Sequence, residues 1–214
     1  MRPEAAIWDI NMFIEQPSVW LRWLYPNALW RMDRSDRSVY LTFDDGPIPE
    51  ATPFILDVLK RYGIKATFFM VGDNARKYPE LLQRVIDEGH RIGNHTHNHI
   101  GGFSHTIREY SYNVEKANAY LKTNLVRPPH GWMRLGQYAW LSRKFKIVMW
   151  DLVTRDYSKW MTADDVFNNV KCYARNGSII TFHDSLKSIE KLRTALPLAI
   201  EWLMAEGYAF KIFE

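Results

Sequence analysis

A single cysteine, Cys172, stands in 214 residues, which excludes an intramolecular disulfide and any multi-cysteine metal site. A lone cysteine fits a reducing compartment, and its expected place is buried packing. Long apolar runs are absent too. The most apolar early stretch, PSVWLRWLYPNALW (17–30), is interrupted by Arg22 and Pro26 and falls short of the roughly 20 residues a membrane span needs, so it reads as packing against the domain. Glu4 and Asp9 stand where a secretory signal would carry its apolar core; no signal peptide is expected, and the expected location is cytoplasmic, with a peripheral-membrane or exported one left open. Charge of one sign is also lacking. Lys and Arg number 28 against 24 Asp and Glu, a net +4 scattered over a mixed-sign sequence, so nucleic acid is not an expected partner.

What is present is a 47% hydrophobic chain, enough for one sizeable core, and a regular alternation of short β-branched or aromatic runs with amphipathic stretches. SVYLTFDD (38–45), ATFFMVG (66–72), HRIGNH (90–95), LVRPPH (125–130), KIVMWDL (146–152), SIITFHD (178–184) and YAFKIF (208–213) read as seven strands. Helices are expected over Thr52–Gly63 with Thr52 as N-cap, Tyr78–Gly89, Thr106–Thr123, Gly136–Phe145, a segment opening on a Thr162 to Asp165 capping box, and Ser188–Gly207 broken at Pro197. Seven strands with intervening helices imply parallel α/β architecture, either an open doubly wound sheet or a barrel. The polar residues decide between them. Asp44, Asp45, His95, Arg127, Asp151 and His183 fall at or beyond the C-terminal ends of five different strands, which a barrel makes neighbours and an open sheet does not. A single-domain (β/α) barrel short of eight units is therefore expected.

Chemistry concentrates in short motifs. GNHTHNH (93–99) holds three of the seven histidines; on a helical turn His95 and His99 share a face and His97 points away, which leaves His97 to packing or substrate contact. With Asp45 of TFDDGP (42–47), His95 and His99 form a two-histidine, one-carboxylate set with open positions, suited to zinc or another divalent transition metal. Its neighbour Asp44 points differently and faces a bound water, so the two carboxylates divide their roles. Arg127 in RPPHG is held by two stiff prolines and suits a positioning element. Asp151, Arg155 and Asp156 in MWDLVTRDYSKW, and His183 and Asp184 in ITFHDS, read equally as site residues or as loop and turn.

In order and rough spacing, TFDDGP, HTHNH, RPPHG, MWDLVTRDYSKW and ITFHDS resemble the five motifs of the polysaccharide deacetylases, carbohydrate esterase family four, also called the NodB homology domain, over about residues 38–213. The resemblance implies a distorted (β/α)7 barrel in one domain, residues 38–214, preceded by a tryptophan-rich extension, residues 1–37, packed on it. It implies Asp45, His95 and His99 as metal ligands, Asp44 as catalytic base, Arg127 as the residue orienting that base, His183 as general acid, Asp156 as the acid's carboxylate partner, and the backbone N–H of His130 as the oxyanion contact. Four positions depart from the family pattern: His130 stands for the usual tyrosine, Tyr157 for tryptophan, Thr181 for the leucine that commonly lines the acetyl pocket, and Val153 for a frequent further aspartate. Trp132, Tyr157 and Trp160 are read as an aromatic sugar platform.

The expected function is removal of N-acetyl groups from an amino-sugar polysaccharide or oligosaccharide, with acetate released. One divalent ion is expected, zinc first, with cobalt, nickel, manganese or iron as substitutes. No nucleotide or redox cofactor is expected, and the partner is an N-acetylated glycan. The alternatives are the same centre acting on a non-sugar amide or imide, a non-haem iron oxygenase, and an inactive carbohydrate-binding domain.

Overall fold

The computed structural model describes residues 15–214; residues 1–14 of the expected extension lie outside the described residues. In chain order the elements are α1 (Val19–Leu24), β1 (Ser38–Asp44), α2 (Thr52–Arg61), β2 (Thr67–Met70), α3 (Gly72–Lys77), α4 (Pro79–Asp87), β3 (Arg91–Asn94), α5 (Ile107–Leu121), β4 (Leu125–Val126), α6 (Leu135–Leu141), β5 (Lys146–Ile147), β6 (Leu152–Val153), α7 (Ala163–Tyr173), β7 (Ser178–His183), α8 (Ile189–Ala205) and β8 (Ala209–Phe210). All named strand pairs are parallel, in the order β5-β4-β3-β2-β1-β7-β6, with β8 on the first residues of β1. The α/β barrel expected from the strand rhythm is the fold observed.

β1 is buried at every position, as a strand covered on both faces must be. Alternation along it separates two environments. Leu41 and Phe43 face outward into the core under α2, α7 and α8, where Phe43 stacks between Phe68 and Phe182 at 5.1 and 5.7 Å. Tyr40, by contrast, packs with Phe69, Ile179, Leu125, Val148 and Phe213 in a separate cluster that plugs the barrel interior. Above that plug the interior turns polar, with Thr42 and Asp44 of β1 in register with Thr181 and His183 of β7. Strand ends also align: Asp44 pairs Phe69, Met70 pairs Asn94 and Asn94 pairs Val126, so the residues that follow emerge together at one mouth.

Barrel closure differs from the expectation. The strand read over 146–152 splits into β5 and β6, because one segment serves two neighbours: its start pairs with β4 and its end with β7. The notch between is filled by the N-terminal segment, where Leu29 bridges Val148 and Arg31 bridges Ser178. Leu21, Tyr25, Ala28 and Trp30 of that segment are buried against α5, α6 and Met149 and Trp150. Asp151 does not reach the mouth. It is fully buried and turned toward the start of β7, where Ser178, Arg175 and Arg22 hydrogen-bond its carboxylate at 2.6 to 3.1 Å.

Helix caps follow the sequence signals at Thr106 with Glu109 and at Thr162 with Asp165, both complete capping boxes. Thr52 is the first residue of α2 rather than its cap. α8 runs unbroken through Pro197; the buried face of Leu192, Leu196, Ala199, Ile200 and Leu203 compensates for the one backbone donor that proline lacks. α3, unpredicted, is a six-residue turn of GDNARK too short to show a period. Cys172 is exposed, contrary to the expected packing role. No helix among the described residues is long and apolar enough to cross a membrane.

Candidate active site

The mouth of the barrel opens into a cleft of 1120 Å³ whose lining includes Asp44, Asp45, His95, His99, Arg127, His130, Tyr157, Trp160, Thr181, His183 and Asp184. Four of these lining positions or their neighbours, Asp45, His99, His130 and Arg155, have φ between 54° and 89°, a conformation costing non-glycine residues on the order of 1–3 kcal/mol each. Such backbone persists where the surroundings over-determine it, and here they do. Asn74 Nδ2 donates to Asp45 O at 2.8 Å, Thr96 Oγ1 accepts from Ile100 N, and Asn113 Oδ1 accepts from both His97 N and Asn98 N.

One nitrogen or oxygen from each of Asp45, His95 and His99 lies within 4.8 Å of the others, so these three could hold a metal ion. β3 ends at Asn94 and residues 95–99 are not helical, so a loop, and not the helical turn used to argue the pairing, brings His95 and His99 to a ring separation of 5.0 Å. His95 Nδ1 sits 2.8 Å from Arg127 O, which fixes the proton on Nδ1 and leaves the Nε2 lone pair free to ligate. That Nε2 is 3.7 Å and His99 Nε2 is 3.2 Å from Asp45 Oδ1, a buried oxygen that no well-aligned hydrogen bond reaches. Lone pairs converging on an unsatisfied carboxylate oxygen fit a cation. Burial opposes ionisation of Asp45, yet His99, His183 and His95 outweigh it and hold the carboxyl below its usual range. His97 turns the other way, buried and stacked on Tyr120 at 6.0 Å.

Asp44 ends β1 beside this triad. Its Oδ1 accepts from Arg127 Nη1 at 2.6 Å, and the guanidinium is fixed all round: Nη1 also donates to Thr42 Oγ1, Nη2 to Met149 O and Nε to Val148 O, while its plane lies 4.1 Å over the Phe69 ring. Burial nonetheless pushes Asp44 above the ordinary carboxylate range, against the pull of Arg127 and His183. On the neighbouring strand β7, Asp156 grips His183 twice, accepting from Nδ1 at 2.8 Å and from the backbone N at 2.7 Å. Burial disfavours the imidazolium, but Asp156, then Asp45 and Asp44, lift His183 to about 9.

Other expected residues fall on both sides of the rim. Tyr157 lines the cleft and packs edge-on to His183 at 4.8 Å; His130 packs edge-on to His99 at 5.0 Å; Thr181 lies lower in the barrel. Trp132 is outside the cleft lining and packs at a tilt against Trp20 and Phe103 at 5.7 and 5.8 Å. Asp184, read equally as a site residue or a turn residue, is a buried tie. It accepts from Gly46 N at 2.9 Å and Thr52 Oγ1 at 2.8 Å, clamping the loop that carries Asp45 to the end of β7. A Cβ on Gly46 would stand 1.7 Å from Asp184 Oδ2, so that position admits glycine alone. Burial raises Asp184 to about 8.

Fold and site together define a class, the parallel α/β barrels with a two-histidine, one-carboxylate centre and flanking acid–base pairs at the strand ends. Residues 31–146, more than half of the chain, match the profile of the polysaccharide deacetylases, and the chain belongs to that family. It is 40% identical over 154 residues, 69% of this chain, to a peptidoglycan-N-acetylglucosamine deacetylase of Bacillus cereus, of whose length it spans 56%. A chitooligosaccharide deacetylase of Rhizobium leguminosarum bv. trifolii is 33% identical over 70% of this chain and 72% of its own. The crystal structure of the Bc1960 peptidoglycan N-acetylglucosamine deacetylase superposes with a TM-score of 0.85 at 34% identity, covering 90% of this chain and 94% of that one.

Proposed function

We propose that the chain is a metal-dependent hydrolase that removes N-acetyl groups from an amino-sugar polysaccharide or oligosaccharide. The observation that carries this reading is the pair of opposed proton-transfer groups flanking one ligand triad: Asp44 held by Arg127 at 2.6 Å, and His183 held by Asp156 at 2.8 Å. Relatives named for deacetylation of peptidoglycan and chitooligosaccharide support it.

Asp45, His95 and His99 would hold one divalent cation, zinc by the preference of an imidazole and carboxylate set, and the cation supplies Lewis acidity toward the acyl oxygen and the attacking water. Asp44 takes the proton of that water; its raised pKa strengthens it as a base, and Arg127 keeps it aimed. The backbone N–H of His130 serves the developing oxyanion. His183 gives its proton to the nitrogen as the C–N bond breaks, and Asp156 maintains the protonated ring at neutral pH. Tyr157 and Trp160 offer ring faces to the sugar, and the exposed position of Trp160 leaves it open to stacking. Purified protein incubated with chitooligosaccharides and peptidoglycan fragments is expected to release acetate and free amine; the absence of both with metal bound would overturn the reading.

A further inference from the structure

Beneath the cleft lies a hydroxyl whose hydrogen bonds can be counted. Thr42 Oγ1 is fully buried and donates to Ile180 O at 2.9 Å. It accepts from Arg127 Nη1 at 2.8 Å and lies 3.2 Å from Thr181 Oγ1. A hydroxyl has one proton, and Thr42 has given its own to Ile180, so Thr181 is the donor in the threonine pair. Thr181 Oγ1 is thereby left with lone pairs that Thr42 does not meet, on a residue that lines the cleft. An acceptor this buried, on a residue 3% exposed, is costly unless a donor meets it.

Its place decides which donor. Thr181 lies one step below His183 on the inner face of β7, across from Thr42, which lies one step below Asp44. An amide carbon attacked beside Asp44, with its nitrogen toward His183 and its sugar toward the open cleft, directs its remaining substituent down to Thr181. A methyl group there covers the lone pairs and gives them nothing; a hydroxymethyl group reaches them with a proton. Building on the deacylase reading above, we propose that this site selects a 2-hydroxyacyl amide, an N-glycolyl amino sugar, over the N-acetyl form. Water adds its oxygen to the acyl carbon, the C–N bond breaks, the nitrogen leaves protonated, and glycolate is the acid released.

The experiment compares chitooligosaccharides bearing N-acetyl or N-glycolyl groups throughout, with kcat/KM read from free amine. The native protein is expected to favour the glycolyl substrate by about tenfold or more, as a site built to meet a hydroxyl does. Thr181→Val, which keeps the shape and removes the lone pairs, should lower that ratio by about tenfold, and Thr181→Ser should hold it near the native value. Acetyl turnover with glycolyl turnover equal or slower, or a ratio the same in native and Thr181→Val protein, overturns this selection while leaving the deacylase reading standing. Amine from neither substrate, with metal bound, overturns both.

Discussion

The two halves of the site are held by different means. The half to which we assign proton transfer sits on or against strand ends: Asp44 and His183 lie side by side in strand register, and Arg127 and Asp156 behind them are buried with well-formed hydrogen bonds. The candidate metal half hangs from loops. Asp45 and His99 lie in left-handed backbone, their side chains are 29% and 35% exposed, and Asp45 Oδ1 lacks a well-aligned donor. One half is complete in protein atoms alone, and the other gathers charge and lone pairs that a cation would cancel. Preorganised groups cost little to reuse each turnover, whereas an open, strained ligand set keeps coordination positions free for substrate and water.

The largest effect should come from breaking the loop half. His95→Ala and His99→Ala should each take bound metal from about one ion per chain to near none and extinguish turnover, whereas His97→Ala, which removes a ring packed on Tyr120, should keep its metal; elemental analysis beside a rate assay reads both. Metal retained in the first two and lost in the third would reverse the assignment. Next, Asp44→Asn should keep the metal and lose roughly 10² to 10⁴ in kcat, the range for a positioned base. Parallel loss of metal would place Asp44 among the ligands and erase the distinction between halves. Arg127→Ala tests whether the strand half is also structural. It strands the Asp44 carboxylate in the barrel, and urea denaturation should show a loss of about 3–5 kcal/mol, with an unchanged midpoint counting against the tie.

The same contrast explains what could be read from sequence. Strand starts, the capping boxes at Thr106 and Thr162, and the convergence of polar strand ends are local or periodic signals, and they led to the barrel. His95 and His99 were paired by a helical spacing that the chain does not use; the loop brings them together through Thr96, Asn113 and a positive φ at His99, none of which has a periodic signature. Closure of the barrel by Leu29 and Arg31 and the Asp184 clamp on Gly46 depend on partners more than a hundred residues away, and a single sequence carries no trace of such pairing. Trp132 lay close to a motif in sequence yet is claimed by Trp20 and Phe103, because aromatic residues satisfy whichever surface first covers them.

The smallest effect separates protonation from architecture within the strand half. Asp156 both orients His183 through the backbone N–H and favours its charged ring through Nδ1. His183 stands lifted to about 9, so its proton is present through neutral pH and lost on the alkaline side, and that loss should form the alkaline limb of the kcat profile. Asp156→Asn keeps the shape and an oxygen acceptor but removes the negative charge, so the pKa should fall and the limb should move to lower pH, with metal content unchanged. The same shift carries a stability signature. A folded pKa raised above the ordinary histidine value contributes stability that is complete below the unfolded pKa and is lost as pH rises through about 9; Asp156→Asn should flatten that dependence between roughly pH 6.5 and 9. The chemistry gives a second readout. Loss of the acid should slow an amide, whose nitrogen must be protonated to leave, far more than an aryl acetate, whose leaving group departs unaided. An unmoved limb together with equal slowing of amide and aryl ester in His183→Ala would assign both residues to architecture alone.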